Sequence, residues 1–448
     1  NTRKKGGKCK VKRICLLLLV LLCFNFSGCS ILGNDKKGYS RKDGYDEGEE
    51  VVTMWVHVIQ DTPEGEAYAQ SVKEFNEKFD GKYYLDVEFV PRNESGGGYS
   101  DKVNASVISG GLPDIITVDG PNVSSYAANN IIQPLAEITQ DELDEYLPSM
   151  IEQGTVNGKL YSLGVMESSV GFYYNKDIIK ELGIEIPPMD DPWTWSELLE
   201  VCRKAKNYFD NGYVIDMPFP TGETTIYFYA PFIWSNGGDF VSEDGLKVNG
   251  IFNSKKNEEP LNYFKTLIDK GYVSKVDIED LFESGRAAFL FDGAWTVNRV
   301  TENFPDINLG IAPYPVGESW NGERYTPTGG WAFSVTSACK NVEAATEAVK
   351  YMSGVKSGIT MYEKTGNLPS TYGAYEQIPV FQEEGLFKQL YEQLETYGHP
   401  RPKSPVYPQI STSFQQAVEG VLLNDETPKD SLYKTMRRIE DRLLRYQN

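Results

Sequence analysis

Apolar and polar residues follow two different periodicities along the chain, and these predict alternating strands and helices. Residues 51–58 are apolar and β-branched, and residues 84–90 alternate, so both segments are predicted strands. Between them Tyr68, Val72, Phe75 and Phe79 recur at helical spacing. A short helix at 101–109 and a buried strand at 113–118 are predicted next. This β-α-β-α-β order predicts a mostly parallel sheet with helices on both faces.

The same alternation continues to the end of the chain. Thr194 and Glu197 have the spacing of a capping box, which predicts a helix start. The further predicted strands lie at 171–175, 288–291, 309–312 and 331–336, and the further helices at 194–208, 260–270, 277–287, 341–352, 410–423 and 430–446. A chain of 448 residues with this pattern predicts two α/β domains.

The N-terminal segment has the composition of an export signal. Basic residues precede an apolar run at 14–26, which as a helix of about 20 Å is shorter than the ~30 Å hydrocarbon core of a membrane. Ser27, Gly28 and Cys29 follow, and this stretch resembles the bacterial lipobox, although Phe26 stands where leucine is preferred. We therefore predict a signal peptide at 1–28, lipidation of Cys29 with fatty acids such as palmitate, and a polar tether at 29–50. An uncleaved membrane anchor and an ordinary secretory cleavage site are the alternatives.

Charge and composition narrow the possible functions. The formal net charge of −20 disfavours nucleic acid as a partner. His57 and His399 are the two histidines, so neither a histidine-based metal site nor histidine-driven catalysis is expected. Cys202 and Cys339 are the cysteines beyond Cys29, which excludes a disulfide scaffold for a chain this large. Cys202 lies on an apolar helical stripe and is predicted to be buried.

Candidate binding residues stand at the ends of predicted strands, where ligands bind in open α/β sheets. Asp119 follows the third strand, Asp292 with Trp295 follows the strand at 288–291, Gly330 with Trp331 leads into the strand at 331–336, and Glu167 lies near a predicted crossover. Carboxylates bind hydroxyl groups and aromatic rings stack on the apolar face of a pyranose, so this chemistry suits a neutral polyhydroxylated ligand. The alternatives are that Asp119 and Asp292 cap helices and that the tryptophans belong to the core.

Several stretches, taken in order, resemble the extracellular solute-binding proteins of carbohydrate ABC transporters, the class typified by maltodextrin-binding protein. The stretches include GGLPDIITVDGPNVSSYAANNIIQPL, YSLGVMESSVGFYYNKDIIKELGI, FESGRAAFLFDGAWTV and GGWAFSVTSACKNVEAATEAVKYM. The resemblance implies a type II periplasmic-binding-protein clamshell with the ligand in the cleft between two α/β lobes. By analogy, the first lobe holds 51–164 plus 313–368, and the second holds 165–312 plus 369–448.

The resemblance also implies roles for individual residues. Asp119, Glu167 and Glu223 match acids that contact sugar hydroxyls, Trp295 matches a stacking position, and Tyr227 is a neighbouring aromatic platform. The remaining expected ligand contacts are Trp331, Gly330, Asp292, Arg401, Tyr407 and, after the first strand, Asp61 with His57 and Gln60.

The sequence thus predicts an extracytoplasmic sugar-binding lipoprotein on the bacterial cell membrane. It would capture a carbohydrate by cleft closure and deliver it to ABC permease subunits, as a monomer without cofactor, metal or catalytic residues. One alternative is a binding protein for another polar solute, such as a polyamine or peptide. Another is a secreted glycoside hydrolase using Glu167 with Glu223 or Asp292, although the chain contains neither GxSxG nor HExxH.

Overall fold

The computed structural model describes residues 48–92, 98–210, 212–320 and 322–447. The predicted signal peptide, Cys29 and the tether up to residue 47 lie outside these ranges, and the first strand begins at Glu50. Within the described ranges, no helix has both the length and the apolar character needed to cross a bilayer.

The strands of the described chain are, in order, β1 (Glu50–Val56), β2 (Tyr83–Phe89), β3 (Ile115–Asp119), β4 (Thr155–Val156), β5 (Lys159–Leu160), β6 (Ser162–Gly164), β7 (Met166–Glu167), β8 (Val170–Asn175), β9 (Ile215–Asp216), β10 (Phe289–Gly293), β11 (Leu309–Ala312), β12 (Thr326–Thr328), β13 (Trp331–Val335), β14 (Leu368–Pro369) and β15 (Gly398–Pro400).

The α-helices span Pro63–Lys78, Tyr99–Ser109, Val123–Ala128, Gln140–Leu143, Pro148–Gly154, Lys176–Glu181, Trp195–Ala205, Gly222–Ser235, Lys255–Asp269, Thr296–Asn303, Val342–Ser353, Val355–Thr365, Tyr372–Gln377, Leu386–Tyr397, Tyr407–Leu423 and Pro428–Gln447. Short 3₁₀ turns occupy Gly120–Asn122, Lys206–Tyr208 and Pro379–Phe381.

Two sheets organise the molecule. The first has five strands in the order β2-β1-β3-β13-β6, and β1 pairs in parallel with β2 and β3. Strand β13 returns antiparallel to both β3 and β6, with Trp331 opposite Asp119. The second sheet has four strands in the order β11-β8-β10-β9, and β8 is antiparallel to both of its neighbours. Both sheets are therefore mixed. The three strands from which a mostly parallel sheet was predicted do pair in parallel, but β13 and β6 add two antiparallel pairings to the first sheet, and the second sheet is mainly antiparallel, so that prediction is wrong.

Two short ladders join distant parts of the chain beside these sheets. Strand β7 pairs antiparallel with β14, and β12 pairs in parallel with β15. Along the chain, β7 follows β6, which belongs to the first sheet, and precedes β8, which belongs to the second sheet. The ladders thus lie where the chain passes from one sheet to the other.

Each sheet buries apolar side chains on both faces. In β3, Ile115 packs into one cluster with the helix Val342–Ser353, whereas its neighbour Ile116 packs into another with Tyr99. In β8, Phe172 and Tyr173 likewise enter different clusters. Successive strand side chains point to opposite faces, so this burial on both sides matches the near-continuous apolar runs of the sequence.

Most predicted elements are confirmed, including the capping box, in which the Thr194 hydroxyl accepts from the Glu197 N–H and the Glu197 carboxylate accepts from Thr194. Cys202 is buried, as predicted. The predicted helix at 277–287 is wrong: this segment forms turns, and Asp280 and Gly285 adopt positive φ angles of 50° and 72°. Positive φ cannot continue a right-handed helix.

Candidate functional site

Asp119 is the last residue of β3, at the edge of the first sheet that faces the helix Gly222–Ser235. Its side chain is 16% exposed. The following residue, Gly120, donates its N–H to Gly330 O at 3.1 Å, and a Cβ on Gly120 would lie 2.8 Å from the Cα of Gly329. This close approach of two backbones requires glycine, and it brings the turn before β13 against the end of β3.

Arg401 connects Asp119 to Glu223, which stands in the first turn of the helix Gly222–Ser235. The Arg401 Nη2 donates to Asp119 Oδ1 at 2.8 Å, and Nη1 donates to Glu223 Oε1 at 2.7 Å. The Arg401 side chain is 4% exposed. We call these three residues the acid–arginine cluster; it joins the edge of the first sheet to a helix packed on the second.

The remaining N–H groups of Arg401 donate to backbone oxygens of Thr328 and Gly329, just before β13, and to the second carboxylate oxygen of Asp119. Nε donates to Thr328 O at 3.4 Å, Nη2 donates also to Gly329 O, and Nη1 makes a second, long contact of 3.5 Å to Asp119 Oδ2. A guanidinium carries five N–H groups. In the described part of the chain, all five therefore have acceptors.

Glu223 is held from three sides. Its Oε1 accepts from Arg401 and from the buried hydroxyl of Tyr407, and its Oε2 accepts from Ser411 Oγ at 2.5 Å. Burial raises the pKa of Glu223, and the positive charge of Arg401 opposes that shift. Burial would lower the pKa of Arg401, but Asp119, Tyr407 and Glu223 raise it above its ordinary value. The guanidinium therefore remains charged.

An aromatic surface lies beside the acid–arginine cluster. The guanidinium carbon of Arg401 is 5.4 Å from the centre of the Tyr227 ring, a cation–π distance. Tyr227 lies nearly parallel to Trp295, with ring centres 6.1 Å apart and planes inclined by 17°. Trp295 is 37% exposed, whereas Tyr227 is 6% exposed. A Cβ on Gly293 would lie 2.3 Å from the indole of Trp295, so glycine at this position lets the ring lie over the end of β10.

Glu167 is buried behind the turn before β13 and accepts hydrogen bonds there. Its Oε1 accepts from the N–H groups of Ser168, Gly329 and Gly330, at 2.8, 2.7 and 3.2 Å. Its Oε2 accepts from Ser149 Oγ at 2.8 Å. Burial raises the pKa of Glu167, and these hydrogen bonds oppose the shift. Gly330 has no room for a side chain, because a Cβ there would lie 2.4 Å from Met166 O. Both residues thus support the turn that Arg401 contacts.

Trp331 opens β13 on the same sheet edge as Asp119, and it stacks on His57. The two ring centres are 3.4 Å apart and their planes are inclined by 8°. The buried imidazole lies 3.0 Å from Glu64 through Nε2 and 3.1 Å from Thr117 Oγ1 through Nδ1. Burial lowers the pKa of His57, so the imidazole is neutral at neutral pH. One face of the Trp331 indole is therefore covered by His57.

The remaining predicted residues differ in their surroundings. Asp292 binds Thr296 Oγ1 at 2.6 Å and Arg299 Nη2 at 2.9 Å, and Arg299 also pairs with Glu283. Asp292 is thus committed to the start of the helix Thr296–Asn303. Asp61 lies exposed in the turn before the helix Pro63–Lys78. In the described ranges, no group of three or more His, Cys, Asp and Glu side chains is placed to hold a metal ion.

Comparison with known proteins identifies the family. A family model described as "Bacterial extracellular solute-binding protein" matches residues 60–358, more than half of the chain. The chain belongs to this family. Its fold is the type II periplasmic-binding-protein fold: the structure is similar to a solved maltose-bound MalE3 of T. maritima with a TM-score of 0.73, at 21% identity, over 87% of this chain and 99% of that one.

Two curated relatives of this solute-binding protein have names that refer to oligosaccharides. The arabinooligosaccharide-binding protein of Bacillus subtilis is 27% identical over 361 residues, which cover 77% of this chain and 76% of that protein. A maltooligosaccharide ABC transporter solute-binding lipoprotein of Streptococcus pneumoniae is 23% identical over 68% of this chain and 70% of that protein.

Two residues that help to build the candidate site are not indicated by the sequence. Ser411 completes the hydrogen bonds of Glu223, and Gln153 donates to Gly120 O at 2.9 Å while buried beside Gly329. Ser411 and Gln153 lie within helices, and neither has a motif of its own. The stacking of His57 beneath Trp331 is equally invisible, because the two residues are distant in sequence.

Proposed function

We propose that this solute-binding protein captures a neutral carbohydrate for an ABC importer. The observation that carries the proposal is the position of the exposed Trp295 indole and Tyr227 beside the acid–arginine cluster, between elements of the two sheets. A pyranose offers an apolar C–H face to an aromatic ring and hydroxyl groups to polar ones, so it needs both kinds of group side by side. The oligosaccharides named for the two curated relatives support the same ligand class.

The proposed lobes are 51–164 plus 313–368 and 165–312 plus 369–448. The ladder of β7 with β14 supports these boundaries, because its strands lie at 166–167 and 368–369. The sugar would bind one lobe first and gain contacts from the other on closure. That difference in affinity would shift the population toward the closed form, which the permease subunits would recognise.

Within the site, we assign direct contact and support to different residues. Asp119, Tyr227, Trp295, the half-buried Trp331 and, at the rim, Asp61 would contact the sugar. Glu223 would contact the sugar at its exposed edge, since its side chain is 30% exposed. The supporting residues would be Glu167, Gly330, Asp292, Arg401 and Tyr407, which are engaged by other parts of the chain as described above.

The same proposal includes attachment to the outer face of the cell membrane. Residues 1–28 would be removed as a signal peptide and Cys29 would carry the lipid, with the protein acting as a monomer. The lipobox-like stretch and a relative named as a lipoprotein support this assignment. Radiolabelled palmitate should be incorporated into the wild type and not into Cys29→Ala; labelling of both would contradict the assignment.

A thermal-shift panel of mono- and oligosaccharides tests the ligand class. A sugar that binds only the folded state raises its melting temperature, so arabino- or maltooligosaccharides should stabilise the wild type. Trp295→Ala should weaken binding of the active sugar by about tenfold, since a good aromatic contact contributes about 1 kcal/mol or more. Trp193→Ala is the matched control, because that indole packs on Phe289, away from the acid–arginine cluster; it should leave affinity unchanged.

Other outcomes would favour the alternatives. Stabilisation by spermidine or a short peptide, with none by any sugar, would replace carbohydrate with another polar solute. Steady release of reducing sugar from a glycan would indicate a hydrolase. The curated relatives are binding proteins, and the most buried candidate acid, Glu167, is occupied by hydrogen-bond donors.

A further inference from the structure

Arg401 is fixed between two acids that would otherwise face the ligand, and this arrangement bears on what the site can accept. We propose that Arg401 determines the charge class of the ligand: it acts as an internal counter-ion for Asp119 and Glu223, so that the site takes neutral polyols and rejects cations. The inference rests on the proposed function and refines it, since it names the residue that separates sugars from polyamines.

The first support is the hydrogen-bond saturation of the guanidinium. Its N–H groups donate to Asp119, Glu223, Thr328 O and Gly329 O. The side chain is 4% exposed. Arg401 therefore serves the protein's own acceptors, and a ligand carboxylate would have to compete with them.

The second support is that both acids are held in place around the guanidinium. Tyr407 and Ser411 fix Glu223, while Asp119 stands at the end of a buried strand. The segment that carries Arg401 is also tied down: Lys403 Nζ donates to Glu152 O at 2.8 Å, and Ser404 Oγ donates to Gly245 O at 2.7 Å. A ligand therefore cannot displace the guanidinium without breaking several contacts.

The third support is the charge of the cluster. Two carboxylates and one guanidinium leave a single net negative charge, shared over groups that already pair with each other. A cationic ligand would gain little from acids that already pair with Arg401, and removing Arg401 would leave two partly buried carboxylates without a cationic partner. Such a pair would attract an ammonium group strongly, whereas neutral hydroxyl groups would not replace the lost charge.

The test uses spermidine as the cationic probe and Arg401→Met, which keeps the aliphatic stem and removes every N–H. Spermidine should bind Arg401→Met at least about tenfold more tightly than the wild type, measured by calorimetry and thermal shift at fixed ionic strength. Lys73→Met is the control, because it removes a positive charge from a surface lysine that is 76% exposed and pairs with Glu77 rather than with the acid–arginine cluster. It should leave spermidine affinity unchanged, and Arg401→Lys should restore rejection of spermidine.

A second variant covers the case in which Arg401→Met does not fold. The double substitution Asp119→Asn with Glu223→Gln keeps the shape of both side chains and leaves Arg401 as an uncompensated cation. This variant should bind trigalacturonate, an anionic sugar, at least about tenfold more tightly than the wild type does.

The inference is overturned if the wild type binds spermidine as tightly as Arg401→Met does, if Lys73→Met gains the same affinity, or if the double variant gains none for trigalacturonate. Its failure is distinguishable from failure of the proposed function. A wild type that binds no sugar, while Arg401→Met still gains spermidine binding, leaves the role of Arg401 intact and removes the carbohydrate assignment.

Discussion

Substitution of Glu167 tests whether its carboxylate stabilises the turn at Gly329 and Gly330 beside the candidate site. Replacing it with alanine removes the acceptor for the N–H groups of Ser168, Gly329 and Gly330. Gly329 and Gly330 are buried, so water cannot replace the lost oxygen at these two groups. Each unsatisfied buried donor costs about 1–3 kcal/mol. The loss is partly offset, because burial also disfavours the charged carboxylate. We expect Glu167→Ala to reduce the free energy of unfolding by roughly 2–4 kcal/mol.

Glu167→Gln separates the supporting role from direct ligand contact. Its side-chain oxygen can still accept from the three N–H groups, and its amide can donate to Ser149. The variant should therefore lose only about 1 kcal/mol, through weaker hydrogen bonds to a neutral acceptor. It should also keep its sugar affinity within about twofold, whereas Glu167→Ala, which frees the turn that Arg401 contacts, should lose most of it.

Urea denaturation at pH 7 measures both stabilities, provided that the dependence on urea is the same for all variants. Glu152→Ala is the control, because this exposed glutamate pairs with Lys403 at the surface and should change stability by less than about 1 kcal/mol. Equal destabilisation by alanine and glutamine would refute the hydrogen-bond argument. A glutamine variant that keeps full stability and loses sugar binding would show that Glu167 contacts the ligand directly.

Three further predictions follow from single residues. Gly293→Ala should displace the indole of Trp295, weakening sugar binding severalfold in calorimetry with a small fall in melting temperature; unchanged affinity would contradict the proposed platform. Burial raises the pKa of Asp216 to about 7, so its ionisation costs stability as pH rises, and Asp216→Asn should stabilise the protein more at pH 8 than at pH 5 in thermal melts; an equal effect at both would refute this. Burial lowers the pKa of His57 from 6.5, so its contribution to stability is lost as pH falls below that value; His57→Gln should flatten this part of the pH profile, and an unaltered slope would be the contrary result.

Elements with a local signal are predictable from the sequence. The strand β11 has the limits that its apolar run indicated, and the helix Trp195–Ala205 begins after the capping threonine Thr194. The helix Gly222–Ser235 was not predicted, because residues 225–235 are all buried and it contains Pro231. An apolar run without a polar face has no helical periodicity to detect. The predicted helix at 277–287 failed for the opposite reason: its apolar spacing suits a helix, but the backbone at Asp280 does not.

The candidate site also combines features that the sequence predicts with features that it does not predict. Placing Asp119 and Trp295 at strand ends required only the order of strands and the rule that loops at these ends meet. Trp331 begins β13 and lies at the same edge as Asp119 only because β13 is antiparallel to β3. The hydrogen-bond partners of the acidic residues could not be predicted from the order of the strands. The resemblance predicts that Glu167 contacts the sugar, and the folded chain adds a hydrogen bond from Gly329, 162 residues away, to its Oε1. Hydrogen-bond saturation is a property of neighbours in space, and sequence patterns do not report it.

The α/β character, the residues beside the strands and the resemblance to solute-binding proteins can all be read from the amino-acid sequence, because periodicity and motifs are local properties of the chain. The partners of Arg401 become visible in the folded chain, because Asp119 and Glu223 lie 282 and 178 residues away from it in sequence. Burial makes an unpaired charge costly. The fold therefore had to bring these three residues together, and that pairing decides which of the acids remain free to bind a ligand.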